Sequence, residues 1–242
     1  MVSPYNDGRE KTDQVRDMFD NIAPAYDNLN RAMSFGLDRS WRRRAVDFVA
    51  EAGASRIVDI ATGTGDFALS LAERSPDGYI TGLDLSENMI KIGRKKIEEA
   101  GMADRISLIV GDCLASPLPE GQADAVTVAF GVRNFSDLLA GYRSMRGMLR
   151  PGGRLCVLEL STPVNPLVRP IYKFYSAYII PLMGRLVSKD RRAYSYLPES
   201  IAAVPQAEEM LDIMSRAGFV NPYFQRLTFG VCTLYTAVNP DC

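Results

Sequence analysis

The stretch Val58-Asp59-Ile60-Ala61-Thr62-Gly63-Thr64-Gly65-Asp66 constrains this chain more than any other. An apolar run delivers the backbone to a glycine turn, and Phe67-Ala68-Leu69-Ser70-Leu71 continues beyond it as a helix. A strand, a glycine loop and a helix in that order form the opening unit of a doubly wound α/β sheet. Gly63 and Gly65 carry no side chain, so a ligand can approach the backbone closely. The helix that follows offers free N–H groups at its N-terminus. Loops of this kind sit at the carboxyl edge of the sheet, where such folds bind ligands.

The rest of the chain repeats the alternation. YITGLDLS reads as a second strand ending in Asp84, 87–100 as a helix, RISLIVGD as a third strand and ADAVTVAF as a fourth. Residues 138–149 read as a helix, followed by a turn at RPGG and a fifth strand, RLCVLEL. Strands alternating with helices imply parallel pairing and right-handed crossovers. A helix over 206–217 then leads into PYFQRLTFG and VCTLYTAV, which close the sheet as a hairpin around Gly230. The expected fold is therefore α/β, a Rossmann-like, doubly wound, mostly parallel sheet of seven strands.

Upstream, Val15, Met18, Phe19 and Ile22 recur at helical spacing and Pro24 stops that helix. Residues 26–36 read as a loop with Asn28, Asn30 and Gly36 as turn residues. A second helix is expected from Asp38, its N-cap, to Gly53, with Arg42, Arg43 and Arg44 on a solvated face. Residues 1–11 are polar, unlike a signal peptide, and read as a frayed lead-in. One domain is expected, in four parts: a helical cap over 1–53, a core over 54–161, an insertion over 162–205 and a closing unit over 206–242.

Composition removes several chemistries. The 242 residues contain no histidine, which excludes a Ser-His-Asp triad, histidine-ligated metals and imidazole bases. Cys113, Cys156, Cys232 and Cys242 form no CxxC pair, so neither a zinc site nor a disulfide framework is expected, and reduced thiols place the chain in the cytoplasm. A net charge of −1 gives no global attraction to nucleic acid.

Two nucleotide cofactors compete for the glycine loop. GTGDFA fits a dinucleotide fingerprint, since alanine is permitted at its third glycine position, and Asp84 suits a ribose diol in either case. Three features favour S-adenosylmethionine: Asp59 ahead of the loop, Gly111-Asp112-Cys113 ending the third strand where an adenine amino group can be held, and LRPGGRL before the fifth strand.

The segments FDNIAPAYDNLNRAMSFGLDRSWRR, DIATGTGDFAL, AFGVRNFSD, LRPGGRLCVLELSTP and YSYLPESI carry a more specific signal. Through them the chain resembles the ubiquinone/menaquinone biosynthesis C-methyltransferases, from about Val15 to Val238. The resemblance implies a class I S-adenosylmethionine methyltransferase acting on a polyprenylated quinol, demethylmenaquinol or its benzoquinol counterpart. It also implies cofactor contacts from Thr64, Asp84, Asp112 and Cys113, beside Asp59, Gly63 and Gly65. Where the family often has serine before the FG of its fourth motif, this chain has Ala129.

A ring carbon is a poor nucleophile until the quinol hydroxyl loses its proton. Arg133, just past the fourth strand, stays protonated and cannot be a base; it would hold a phenolate, position a water or form a structural ion pair. Asn134 is placed to assist it. Tyr26, Asp27, Asp66, Tyr194 and Tyr196 are the candidate bases, alongside water. A broken stripe of Leu167, Ile171, Phe174, Tyr178 and Leu182, interrupted by Arg169, Lys173 and Arg185, would shelter a lipid tail, rest peripherally on a membrane or pack on the sheet. Pro170 and Pro181 are expected to break it into a jointed cap. Another lipid as acceptor, a non-catalytic scaffold and a homo-oligomer stay open.

Overall fold

The computed structural model describes residues 2–187 and 191–241, without the side chains of 184–187 and 191. Its strands are β1 (Arg56–Ile60), β2 (Tyr79–Asp84), β3 (Ile106–Val110), β4 (Ala123–Ala129), β5 (Leu149–Leu160), β6 (Val220–Leu227) and β7 (Cys232–Val238). They form one sheet in the order β3-β2-β1-β4-β5-β7-β6. The first five pair in parallel, and β7 inserts antiparallel between β5 and β6. The order reverses between β1 and β4, so the crevice of this doubly wound sheet opens at the end of β1.

Both faces of the sheet are covered, which is why its central strands read as nearly continuous apolar runs. On one face lie α3 (Leu37–Glu51), α4 (Asp66–Arg74) and α5 (Glu87–Glu99), with Trp41, Val49, Phe67, Leu71 and Ile90 packed on Ile57, Ile80 and Leu108. On the other lie α6 (Leu138–Met148) and α10 (Glu208–Arg216), where Tyr142, Met145, Met210 and Met214 meet Ile60, Val128 and Val157. A third cluster sits apart. It joins α1 (Lys11–Ile22) and α2 (Tyr26–Met33) to α5 and to α9 (Arg191–Ala203), through Met18, Leu29, Met89, Tyr194 and Tyr196.

Several local expectations are corrected. Residues 26–33 form α2 rather than a loop, because Leu29 and Met33 give it an apolar edge that Asn28 and Asn30 disguise in the sequence. Asp38 is not an N-cap. Gly36, at φ 76°, precedes α3, and Asp38 lies within its first turn. Arg42 leaves the solvated face and pairs with Asp38 at 2.7 Å, whereas Arg43 and Arg44 are exposed. Residues 150–153 belong to β5, with a register shift against β4 between Ala123 and Ala125 in place of a free turn. The lead-in is tied down, since the Gln14 amide oxygen accepts the N–H groups of Tyr5 and Asn6.

The prolines do not break the stripe. Pro170 sits in the first turn of α7 (Val168–Phe174), where its missing N–H costs nothing. A π turn, Tyr175–Ile179, leads directly into α8 (Ile180–Val187), which begins beside Pro181. The wider turn absorbs a residue that cannot donate, so the helical run continues. The Arg185 side chain and Cys242 lie outside the described residues.

Candidate active site

The loop after β1 is held from below and from the side. Asp59 is buried and accepts hydrogen bonds from the hydroxyls of Thr62 at 2.6 Å and Thr127 at 2.7 Å. Burial pushes its carboxyl up to about 6, against the pull of those two hydroxyls. Gly63 and Gly65 turn the chain at φ 58° and 78°, a region that side chains disfavour. The Asp84 carboxylate accepts the N–H of Gly63 at 2.8 Å and of Ser86 at 2.9 Å. Burial raises this carboxyl to about 6 as well. Each of its oxygens keeps acceptor capacity for an incoming hydroxyl.

A cavity of about 700 Å³ opens above this loop. Gly63, Asp84, Asp112, Cys113, Asn134 and Tyr26 all face it, and so does Ala129. Asp112 accepts the N–H of Leu114 at 2.9 Å, which fixes the turn after β3. Burial pushes the Cys113 thiol up to about 12, so it stays neutral. Asp59, Thr64 and Gly65 do not reach the wall; they support it from behind. The Thr64 hydroxyl donates to Asp27 at 2.6 Å, and Lys96 joins Asp27 at 2.9 Å and Asp66 in the same cluster.

A second cavity, of about 660 Å³, adjoins the first and shares Tyr26 and Phe130 with it. Asn30, Asp38, Arg42, Arg133, Tyr172 and Tyr175 line it, with apolar wall from Trp41, Ile180 and Ile201. Phe130 stands between the cavities at φ 64°, a costly conformation for a bulky residue and one found at functional sites. It is held there by its N–H to Leu158 at 2.7 Å, by Trp41 edge-on at 6.2 Å and by the Arg42 guanidinium 5.7 Å above its ring. Gly131 follows, and a Cβ there would lie 2.6 Å from that of Ala61, so the loops after β1 and β4 meet closely.

Arg133 is 7% exposed and paired to Glu159 at 2.8 Å. Its guanidinium also reaches the Phe130 carbonyl, and its backbone N–H reaches the second Glu159 oxygen at 3.1 Å. Its Nε is buried without a hydrogen-bond partner. Burial, the largest influence, opposes its charge, but Glu159 outweighs it and the guanidinium is held above its ordinary value. Asn134 accepts the Tyr196 hydroxyl at 3.2 Å. Of the candidate bases, Asp27 and Asp66 lie with Lys96 behind the loop and line neither cavity. Tyr194 is buried and lines neither, while Tyr196, raised to about 12, is tied to Asn134. Tyr26 does lie between the cavities, with its phenol pushed up by burial. Sequence reasoning missed Asp38, Phe130, Glu159, Tyr172 and Tyr175. The acidic residue in the strand LCVLEL was the one available signal.

Residues 7–239 match the ubiE/COQ5 methyltransferase family. The chain belongs to that family. It is 46% identical to the demethylmenaquinone methyltransferase of Bacteroides fragilis, over 98% of this chain and 97% of that one. It is 44% identical to the ubiquinone/menaquinone biosynthesis C-methyltransferase UbiE of Geobacter sulfurreducens, over 94% and 89%. Among solved structures, the [4+2]-cyclase SpnF shares the fold at a TM-score of 0.68 and 18% identity, over 96% of this chain and 97% of that one. As a member of the ubiE/COQ5 methyltransferases, the chain has the class I methyltransferase sheet and is a methyltransferase; the likeness to a cyclase shows that the fold alone does not set the reaction.

Proposed function

We propose that this protein transfers a methyl group from S-adenosylmethionine to a ring carbon of a polyprenylated quinol, demethylmenaquinol first and its benzoquinol counterpart second. The observation that carries the reading is the pair of adjoining cavities with Tyr26 and Phe130 between them. One is walled by the glycine loop and Asp84, the other by aromatic and apolar side chains around Arg133. The first fits S-adenosylmethionine: Asp84 accepts the ribose hydroxyls, Asp112 and Cys113 bound the adenine, and Gly63 lets the backbone approach. Asp59, Thr64 and Gly65 hold that loop in shape. The cofactor supplies a methyl group on a cationic sulfur, and that charge is lost on transfer.

The protein contributes alignment and charge. Holding donor and acceptor in adjoining cavities that meet at Tyr26 and Phe130 brings them together and makes the reaction effectively unimolecular. Arg133 stabilises the phenolate that makes the ring carbon nucleophilic, with Asn134 beside it. Glu159 keeps the guanidinium charged and in place.

The helical run over 168–187 serves the acceptor's tail. Tyr172, Tyr175 and Ile180 face the second cavity. Leu167, Ile171, Phe174, Tyr178 and Leu182 point outward, between 53% and 79% exposed, with exposed Arg169 and Lys173 among them. Such a face covers isoprene units and rests peripherally on an anionic bilayer, the cations each contributing about 1 kcal/mol. No helix among the described residues is long and apolar enough to cross a membrane. Incubation with methyl-labelled S-adenosylmethionine and short-tailed demethylmenaquinol or demethylated benzoquinol tests the proposal. Label on a ring carbon is expected, and no label in either quinol refutes it.

A further inference from the structure

The second cavity contains one carboxylate. Of the residues lining it, Asp38 alone is acidic. It is 6% exposed, in the first turn of α3. One of its oxygens accepts the Ser34 hydroxyl at 2.8 Å and the other accepts the Arg42 guanidinium at 2.7 Å. A carboxylate offers about four acceptor positions, so capacity remains for a further donor. The same cavity is lined by Arg133, whose buried Nε has no partner. An acceptor and a cationic donor thus share one cavity with aromatic and aliphatic walls.

We infer that Asp38 is the general base of the methyl transfer, taking the proton from the acceptor's hydroxyl next to the methylated ring carbon. This rests on the quinol reading given above. A phenol titrates near about 10, so about one molecule in a thousand is ionised at neutral pH without help. The other titratable groups at the cavity cannot provide that help. Tyr26, Tyr172 and Tyr175 are all pushed up by burial and keep their protons. Arg42 and Arg133 stay charged, and the chain has no histidine.

The step balances as follows. The hydroxyl O–H breaks and the proton goes to the Asp38 carboxylate. The ring carbon bonds to the methyl group as the sulfur–methyl bond breaks, and the sulfur keeps that electron pair. The ring is then a neutral dienone whose methylated carbon still carries hydrogen. Loss of that hydrogen to water as a proton, with return of the Asp38 proton to the oxygen, restores the aromatic quinol. Arg133 neutralises the oxygen while it is anionic. Arg42, paired with the Asp38 carboxylate at 2.7 Å, is itself 3.9 Å from Asp66.

The test uses the full chain, a short-tailed demethylmenaquinol and labelled S-adenosylmethionine kept saturating at every pH, so that Asp84 does not add its own acid-side loss, with single-turnover transfer followed against pH. A carboxylate base gives wild type a loss of rate on the acid side. Asp38→Asn keeps the shape and should lower kcat by about 10²–10⁴-fold, the range for general base catalysis. Its remaining rate should rise with hydroxide, without the acid limb, while binding of S-adenosylhomocysteine stays at wild-type strength. Ser34→Ala removes one of the two hydrogen bonds but leaves the base, so it should keep the acid limb; a purely structural Asp38 predicts the same profile for both variants. If Asp38→Asn does not fold, Asp38→Glu replaces it and should retain the acid limb at reduced rate. A folded Asp38→Asn with wild-type kcat, a loss confined to KM, or an Asp38→Glu without the acid limb would overturn the assignment. Wild type that methylates no quinol would instead refute the functional reading on which it rests.

Discussion

Replacing Glu159 with glutamine tests whether Arg133 is held as a buried cation. One Glu159 oxygen accepts both the Arg133 guanidinium and the Leu160 N–H, each at 2.8 Å, and the other accepts the Arg133 N–H. Glutamine can supply the first oxygen but not the second. Its amide NH₂ would face the Arg133 N–H, donor against donor, and the guanidinium would lose its counter-charge at 7% exposure. Breaking a buried pair by removing one partner costs about 3–5 kcal/mol. For a chain of this length each kcal/mol lowers Tm by about 2–4 °C, so the expected fall is about 6–20 °C. Arg133→Met combined with Glu159→Leu removes both charges and should recover most of that loss, because apolar replacement of a whole buried pair is often neutral. Thermal unfolding followed by circular dichroism reads both. A Glu159→Gln variant within about 2 °C of wild type, or a double variant as unstable as the summed singles, would show that the pair is not what holds Arg133.

Three further outcomes are expected. Ribose hydroxyls favour ionised Asp84, whose carboxyl sits at about 6, so affinity for S-adenosylhomocysteine should be full above about pH 7 and weaken toward tenfold per unit below about pH 6; calorimetry showing flat affinity from pH 7.5 to 5 would remove Asp84 from the diol site. Gly131→Ala would set a Cβ 2.6 Å from the Ala61 Cβ and 2.9 Å from Val128, so overpacking should destabilise the fold by about 1–3 kcal/mol and weaken cofactor binding with it, and unchanged values of both would contradict the close approach. Serine at Phe174 and Tyr178 should lower kcat/KM for a long-tailed quinol more than for a tail-less one and weaken sedimentation onto anionic liposomes; equal losses with a lowered Tm would make these residues ordinary packing.

The glycine-loop half of the candidate site was legible as a loop because it is local, although Asp59, Thr64 and Gly65 prove to lie behind the cavity wall. Strand, glycines and the acidic end of the next strand follow one another closely, and their roles depend on loop chemistry that a short window contains. The second cavity was not. Asp38 looks like a helix cap in sequence, and only the packing of α2 on α3 turns it into a cavity wall. Glu159 lies 26 residues from Arg133 and meets it because β4 and β5 are neighbours. Phe130 has no sequence mark of its left-handed backbone. The asparagines of α2 concealed a helix whose existence depends on tertiary burial of Leu29, and local propensity yields to such burial.

The two cavities draw on separate stretches of the chain. The sheet's loops and α1 build most of one, and α2, α3 and the helices after β5 build most of the other. Substitutions in those helices can therefore reshape what is methylated while the strands, their register and the glycine turn stay as they are. Tyr26 and Phe130 are the exceptions, because each belongs to both chambers. On the reading proposed above, a lineage exploring new acceptors could vary the outer helices around Asp38 and Arg42, whereas any change at Tyr26 or Phe130 would alter both chambers together.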